Sequence, residues 1–288
     1  MKKVQLLIIL FTICLLLIFS KNVSLITTNV MQNFIINIIP TLAPIMILVN
    51  IFTYSGGFLA LFNSNKLSPQ AKHLINTLGI IVIGVLSGTP ALANILKEEK
   101  NKSFSKEEND LIMSSFVMPS FPFLLAIAMN SDWVINKKIL LFVPLIINIF
   151  LFLLSYKKEF LNYEVLKQNT NIDNIMSKAI ITTAQSLILM LGAIVLFSLL
   201  GEFISYKCPS PYKFLLHGLI EFSYPLNILL KSNILINLYF AVLIIAFSSL
   251  SLIIQVKLLY KDISIIEVIK KRLIVTALSI LFILFLAF

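Results

Sequence analysis

Leu86–Leu96 reads LSGTPALANIL and lies inside the longer run INTLGIIVIGVLSGTPALANILKEEK, which otherwise has the character of a membrane-spanning helix. A helix that only anchors a chain in a bilayer has no use for Ser-Gly-Thr-Pro near its middle. Proline removes a backbone donor and crowds the preceding turn, and glycine loosens the chain. In hydrocarbon each freed N–H or C=O costs several kcal/mol unless another group satisfies it. Irregular backbone at membrane depth is therefore tolerated only when buried in protein or lining a wet cavity. Thr89 suits an N-cap and Pro90 the first helical position. The half-helix running on through Leu96 would then aim free N–H groups, and a partial positive charge, at whatever sits beside Gly88.

The composition sets the context for this break. The 288 residues are 59% hydrophobic and only 12% charged, with a mean hydropathy of +0.98. A soluble domain cannot hide that much apolar surface, so the chain reads as an all-α polytopic membrane protein. The formal charge of +10 comes from Lys and Arg in the loops. That excess fits cytoplasmic loops beside anionic lipid better than nucleic acid. Cys14 and Cys208 form no metal or disulfide pattern. The start, MKKVQLLIILFTICLLLIFSK, pairs two lysines with an apolar run from Val4 to Ser20 that would span roughly 25 Å as a helix. It reads as a retained signal-anchor span in a cell membrane, with a cleaved signal peptide as the alternative.

Further apolar segments recur at about 34–57, 74–96, 111–130, 139–156, 178–204, 214–230, 234–259 and 273–288, giving about 8–9 in all. Two polar connections stand out, Lys97 to Asp110 and Lys157 to Lys178. They suggest an N-terminal span and loop (1–33), a first repeat (34–160), a polar linker (161–177) and a second repeat (178–288). Each half opens with a long apolar helix, continues with two interrupted segments and closes with a plain apolar helix. The interruptions are SGTPA at Ser87–Ala91, MPSFP at Met118–Pro122, EFSYP at Glu221–Pro225 and SSLS at Ser248–Ser251. Within each half they lie about 30 residues apart. Two similar halves with broken or re-entrant helices are the expected architecture.

The breaks also nominate a site. One clamp would consist of Ser87, Gly88, Thr89, Pro90 and Asn94, with Ser120 and Pro122 beside it. Ser120 before FPFLL, and Ser223 or Tyr224 before PLNILL, would cap further half-helices. Glu221, Ser223 and Asn227 would form the opposing clamp, completed by Ser251 and Gln255. Glu221 is the acidic residue that falls near the centre of an apolar segment, where a charge costs roughly 2.5–3.5 kcal/mol on insertion scales. It is expected either at the site or, with its segment shifted towards the interface, paired with His217 one turn away. For Asn94 and Asn227, ligand contact and helix–helix hydrogen bonding weigh equally. Ser105 and Glu108 have capping-box spacing, which accounts for SFSKEEND without any chemistry.

Taken together, IGVLSGTPALANILKEEKNKSFSKEENDLIMSSFVMPSFPFLLAI resembles the core of the YlbJ/SpoVV sporulation integral membrane proteins, which carry the nucleoside-recognition or Gate domain. The family pattern runs S-G-Y-P-x-G-A-K, S-K-E-E, then S-F-x-N-x-S-G-P-L-F. This chain supplies Ser87, Gly88 and Pro90, then Ser105 to Glu108, then Ser115, Phe116, Pro122 and Phe123. HGLIEFSYPLNILL is similar to G-L-L-E-I-T-N-G at Gly218, Leu219 and Glu221. AFSSLSLIIQVKLL is similar to S-F-G-G-L-S-V-H-A-Q at Phe247, Leu250, Ser251 and Gln255. The chain departs from the pattern at Thr89, Leu92, Asn94, Ser120, Phe121, Ser248, Ser249 and Ile253. The resemblance implies re-entrant hairpins like those of concentrative nucleoside transporters, and a role in moving dipicolinate in spore formers.

The expected function is thus a permease-like membrane protein for a small polar or anionic solute, dipicolinate-like or nucleoside-like. Its partners would be the bilayer and that solute, not nucleic acid. H⁺ or Na⁺ is the candidate coupling ion, with no other cofactor and no bound metal. The alternative is a non-transporting scaffold or assembly factor. No HExxH, Walker A or paired intramembrane aspartates occur, so no catalytic residue is expected and an enzyme is disfavoured.

Overall fold

The computed structural model describes residues 18–55, 68–99, 104–131, 133–156, 174–232 and 234–287. Cys14, most of the Val4–Ser20 run and most of the polar linker lie outside these residues. What is described is helical. Helices α1 (Ser20–Asn33) and α2 (Ile39–Tyr54) join through a π-helical turn at Phe34–Ile38, and α3 (Pro69–Ser87) and α4 (Thr89–Glu99) flank the first break. Next come α5 (Lys106–Ser115), α6 (Phe121–Met129), the short α7 (Ile135–Lys138) and α8 (Val143–Ser155). The later part holds α9 (Ile175–Ser205), α10 (Tyr212–Ile220), α11 (Ser223–Leu230), α12 (Leu235–Phe247), α13 (Leu250–Leu259) and α14 (Ile265–Ala287).

Four helices are long and apolar enough to cross a membrane: Ser20–Tyr54, Gln70–Ser87, Ile175–Ser205 and the broken Leu235–Leu259. The surface agrees with a bilayer as solvent. Ile188, Leu196 and Ile204 on α9, Ile146, Phe150 and Leu154 on α8, and Ile274, Leu281 and Phe285 on α14 all face outward. Polar side chains are turned inward and bond one helix to another. Asn50 on α2 donates to Thr183 of α9 at 3.0 Å, and Asn94 on α4 donates to Ser186 of α9 at 2.9 Å. Apolar outside and hydrogen-bonded inside is the arrangement lipid demands.

Three boundaries differ from those expected. Residues 21–33, expected as a loop after the first span, are helical and run on into the next segment. Their polar residues are spread around a surface helix rather than gathered into a turn, and the chain contains no breaker there. The polar connection 97–110 is partly helical, because Ser105 caps α5 by accepting the Glu108 N–H at 3.1 Å, so Lys106–Asp110 already form its first turns. Similarly, 175–177 belong to α9 rather than to the linker.

The half-helices that follow the breaks form the centre. Helix α4 packs against α13, and α6 packs against α11. Around them α2 lies along α9, and α8 lies along α14. Ala91, Leu92, Leu226, Leu238, Leu252 and Ile253 belong to the shared buried core.

Candidate functional site

Each break has its own local cause. At Gly88 the backbone takes φ +84°, a left-handed conformation that glycine adopts without a side-chain penalty. Its N–H closes α3 on the Gly84 carbonyl at 2.8 Å, and its own carbonyl accepts from Leu92 N–H to open α4. The expected Thr89 cap is absent. Thr89 is already helical, and its hydroxyl instead donates to the Met118 carbonyl at 2.7 Å and accepts from the Met118 N–H at 3.1 Å.

The second break runs from Phe116 to Ser120, and here the expected cap is present: Ser120 accepts the Phe123 N–H at 3.3 Å, with Pro122 in the first turn of α6. A Cβ placed on Gly88 would lie 3.1 Å from Ser120 Cβ, so the first two breaks touch.

At the third break neither Ser223 nor Tyr224 caps the helix. Glu221 does so, its carboxylate accepting from the N–H groups of Ser223 at 2.9 Å and Tyr224 at 3.3 Å and from the Ser198 hydroxyl at 3.4 Å. It is fully buried. A carboxylate at a helix N-terminus satisfies orphan donors and complements the helix dipole. The alternative, a side-chain pairing with His217, is not formed; the two residues are joined through the backbone instead, Glu221 N–H to His217 C=O at 2.7 Å. At the fourth break Ser248 (φ 68°) and Ser249 (φ 50°) turn the chain, and Ser249 accepts the Leu252 N–H at 3.4 Å.

A narrow cleft joins these breaks. Gly88, Thr89 and Pro90 line it from the first, Met118, Pro119 and Ser120 from the second, Phe222 from the third, and Leu252 and Gln255 from the helix that follows the fourth. Met190 and Ile194 of α9 and Ile38 and Leu42 of the first long helix close it. Its cavity volume is about 20 Å³, room for roughly one water molecule. Gln255 is only 3% exposed; its amide N–H donates to Ser251 Oγ at 3.0 Å, while its Oε1 has no hydrogen-bond partner.

Of the residues nominated from sequence, Gly88, Thr89, Pro90, Ser120 and Gln255 therefore meet at one place. Ser251 stands behind Gln255. Ser87 is buried beside Gly88, with its hydroxyl on the Ile83 carbonyl at 2.7 Å. Asn94 bonds to Ser186 as above, and Asn227 donates to Asn33 at 2.8 Å and to the Ser223 carbonyl at 3.3 Å. Both asparagines bond one helix to another here. Pro122, Glu221 and Ser223 lie off the cleft lining.

Two buried constellations were not anticipated. Arg272 on α14, fully buried, donates to the carbonyls of Ser114, Ser115 and Val117, to Asn148 Oδ1 and to Ser248 Oγ. A single guanidinium thereby caps the C-terminal end of α5 and ties the second break to the fourth. In the sequence Arg272 ends a Lys-Lys-Arg triplet just before the apolar segment expected from 273, and nothing local marks it as buried.

The second constellation centres on Glu108. Its carboxylate meets His73 Nε2 at 3.0 and 3.1 Å and accepts from the Tyr156 hydroxyl at 2.8 Å and the Thr77 hydroxyl at 3.2 Å. The capping box explained only the Glu108 backbone. Burial holds the Tyr156 hydroxyl well above the usual phenol range, which keeps it a donor.

No protein-family model, curated protein or solved structure matches the chain.

Proposed function

We propose that this is a multi-pass cell-membrane permease-like protein that moves a small polar or anionic solute through a central site of broken helices. The observation that carries the reading is the meeting of the breaks at one cleft holding an unpartnered, buried Gln255 oxygen. Kinks that served only to bend helices would not need to converge. An amide oxygen left without a donor in the interior is a binding group waiting for one.

The packing supports two similar halves. Helix α4 of the first half meets α13 of the second, α11 of the second meets α6 of the first, and α2–α9 and α8–α14 pair across the division. Exchanging the halves maps each of these contacts onto another or onto itself, as in transporters built from internal repeats. The buried Arg272, whose hydrogen-bond partners among the described residues are all neutral oxygens, favours an anionic solute near the second and fourth breaks. A dipicolinate-like or nucleoside-like solute, as the resemblance to the YlbJ/SpoVV proteins implies, fits that environment. The cleft is too small for either, so transport requires α4, α6, α11 and α13 to part.

A scaffold or assembly factor is the second reading. It is favoured by the internal satisfaction of the breaks, since Thr89 closes on Met118 and Glu221 on its own helix. Flux of dipicolinate and of uridine into proteoliposomes separates the two. The permease reading expects flux of one solute, abolished in Gly88→Leu and sharply reduced in Gln255→Leu, with both variants reconstituted to the wild-type level. Absence of flux for a panel of anions and nucleosides by folded protein would favour the scaffold.

A further inference from the structure

Away from the central cleft, His217 on α10 is 1% exposed, and neither of its ring nitrogens has a hydrogen-bond partner. Buried polar groups are normally satisfied, so a ring with both nitrogens idle marks a place where a bound group belongs. The imidazole is held in this orientation by its seat. It lies against Gly201 of α9, where even a single Cβ would come within 2.4 Å of the ring. It lines a cavity of about 210 Å³, roughly ten times the central cleft by volume.

Glu202, Lys213 and Tyr224 share that lining, and Leu25, Phe214 and Ile228 supply an apolar wall. Lys213 Nζ contacts Glu202 Oε1 at 2.5 Å, and Glu202 Oε2 lies 3.7 Å from His217 Nδ1. The charged pair is about one-quarter exposed, so it can be reached and can open towards a ligand. The cavity thus presents one fixed anion, one fixed cation and an imidazole at its floor. Its surroundings are suited to lipid: Leu25, Phe203, Ile204, Tyr206 and Tyr212 are exposed at this end of the molecule, and Phe19 packs edge-on against Phe203 at 5.8 Å. Exposed aromatic and aliphatic residues of this kind suit the membrane–water boundary.

We infer that this cavity binds a phosphate–ammonium headgroup, that of an ethanolamine phospholipid. The primary ammonium faces the Glu202 carboxylate, and the phosphate oxygens face Lys213 Nζ and a His217 ring N–H. The acyl chains lie along the exposed apolar side chains of α1 and α9. A quaternary choline cannot donate hydrogen bonds to Glu202, and a glycerol headgroup brings no cation, so the site discriminates by chemistry and not by charge alone.

The test is native mass spectrometry of the full chain in detergent doped with equal amounts of phosphatidylethanolamine, phosphatidylcholine and phosphatidylglycerol. The expected result is preferential retention of phosphatidylethanolamine, with the preference falling about tenfold in Glu202→Gln and in His217→Phe, each removing a contact to a charged group. Lys213→Gln, on a partly exposed side chain, is the variant least able to disturb folding and is expected to lose retention as well. Equal retention of the three lipids, or a preference unchanged in all three variants, overturns the assignment. Displacement of the lipid by millimolar phosphoethanolamine, with no dependence on acyl chains, overturns the lipid as source and reassigns the cavity to a soluble zwitterion.

Discussion

Thr89 Oγ1 satisfies both backbone groups of Met118, donating to its carbonyl at 2.7 Å and accepting from its N–H at 3.1 Å. One side chain on the first break therefore supplies the hydrogen bonds that the second break lost when α5 ended. The two irregular segments are a single unit, and a solute entering beside Gly88 would have to deal with both.

Thr89→Val tests this unit. Valine has nearly the same shape and leaves the buried Met118 N–H and C=O unpaired, at about 1–3 kcal/mol each. A clear fall in apparent melting temperature in detergent is expected, followed by Trp133 fluorescence, with Thr89→Ser close to wild type. Equal melting of the valine and serine variants would mean that the interaction contributes nothing measurable.

Arg272 predicts a loss that lysine does not rescue. The guanidinium reaches three carbonyls, an amide and a hydroxyl through a planar fork, and an ammonium presents its donors from one point. Arg272→Lys and Arg272→Met are both expected to destabilise by at least about 2 kcal/mol, because buried carbonyls at the end of α5 lose charged donors. Thermal unfolding and yield of monodisperse protein in detergent measure it. A lysine variant as stable as wild type would show that charge alone suffices there.

The breaks were legible in the sequence because glycine, proline and serine clusters cannot hide inside apolar runs. Gly88 and the Ser120 cap follow from local backbone rules, and they fall where those rules put them. Glu221 and Thr89 were harder to read, since their side chains serve backbone outside the motif that suggested a role. The Glu221 carboxylate replaces the cap that Ser223 would have made, and Thr89 reaches across to another break. Arg272 and the His73–Glu108 pair were not legible at all. The first joins residues more than a hundred positions apart and the second joins two different helices, and no local pattern encodes such contacts. The continuous helix over Ser20–Tyr54 was missed because scattered polar residues resemble a loop when no partner helix is in view.

The Glu108 network predicts coupling between two of its donors. Tyr156→Phe and Thr77→Val each remove a hydroxyl from the same carboxylate oxygen, at about 1 kcal/mol apiece, and the double variant should depart from additivity by at least ~0.5 kcal/mol. Stability against pH gives a second readout. Burial raises the Tyr156 phenol in the folded state, so its contribution is complete below the ordinary tyrosine value of about 10 and declines as pH rises through it, where the unfolded chain ionises first. Wild type should therefore lose more stability than Tyr156→Phe between pH 9 and 11, measured by chemical denaturation in mild detergent; parallel curves would remove Tyr156 from the network's energetics.

Glu221 separates a structural role from a transport role. As the cap of α11 it needs oxygen acceptors for the Ser223 and Tyr224 N–H groups and does not strictly need charge. Glu221→Gln keeps one acceptor and should cost about 1 kcal/mol, whereas Glu221→Leu strands both donors and should cost more. If this carboxylate also carries the coupling ion, Glu221→Gln must shift the dependence of solute flux on pH or sodium, beyond any uniform loss of rate. The same proteoliposomes report both outcomes: a changed profile assigns Glu221 to coupling, and a scaled but otherwise identical profile confines it to holding the third break in shape.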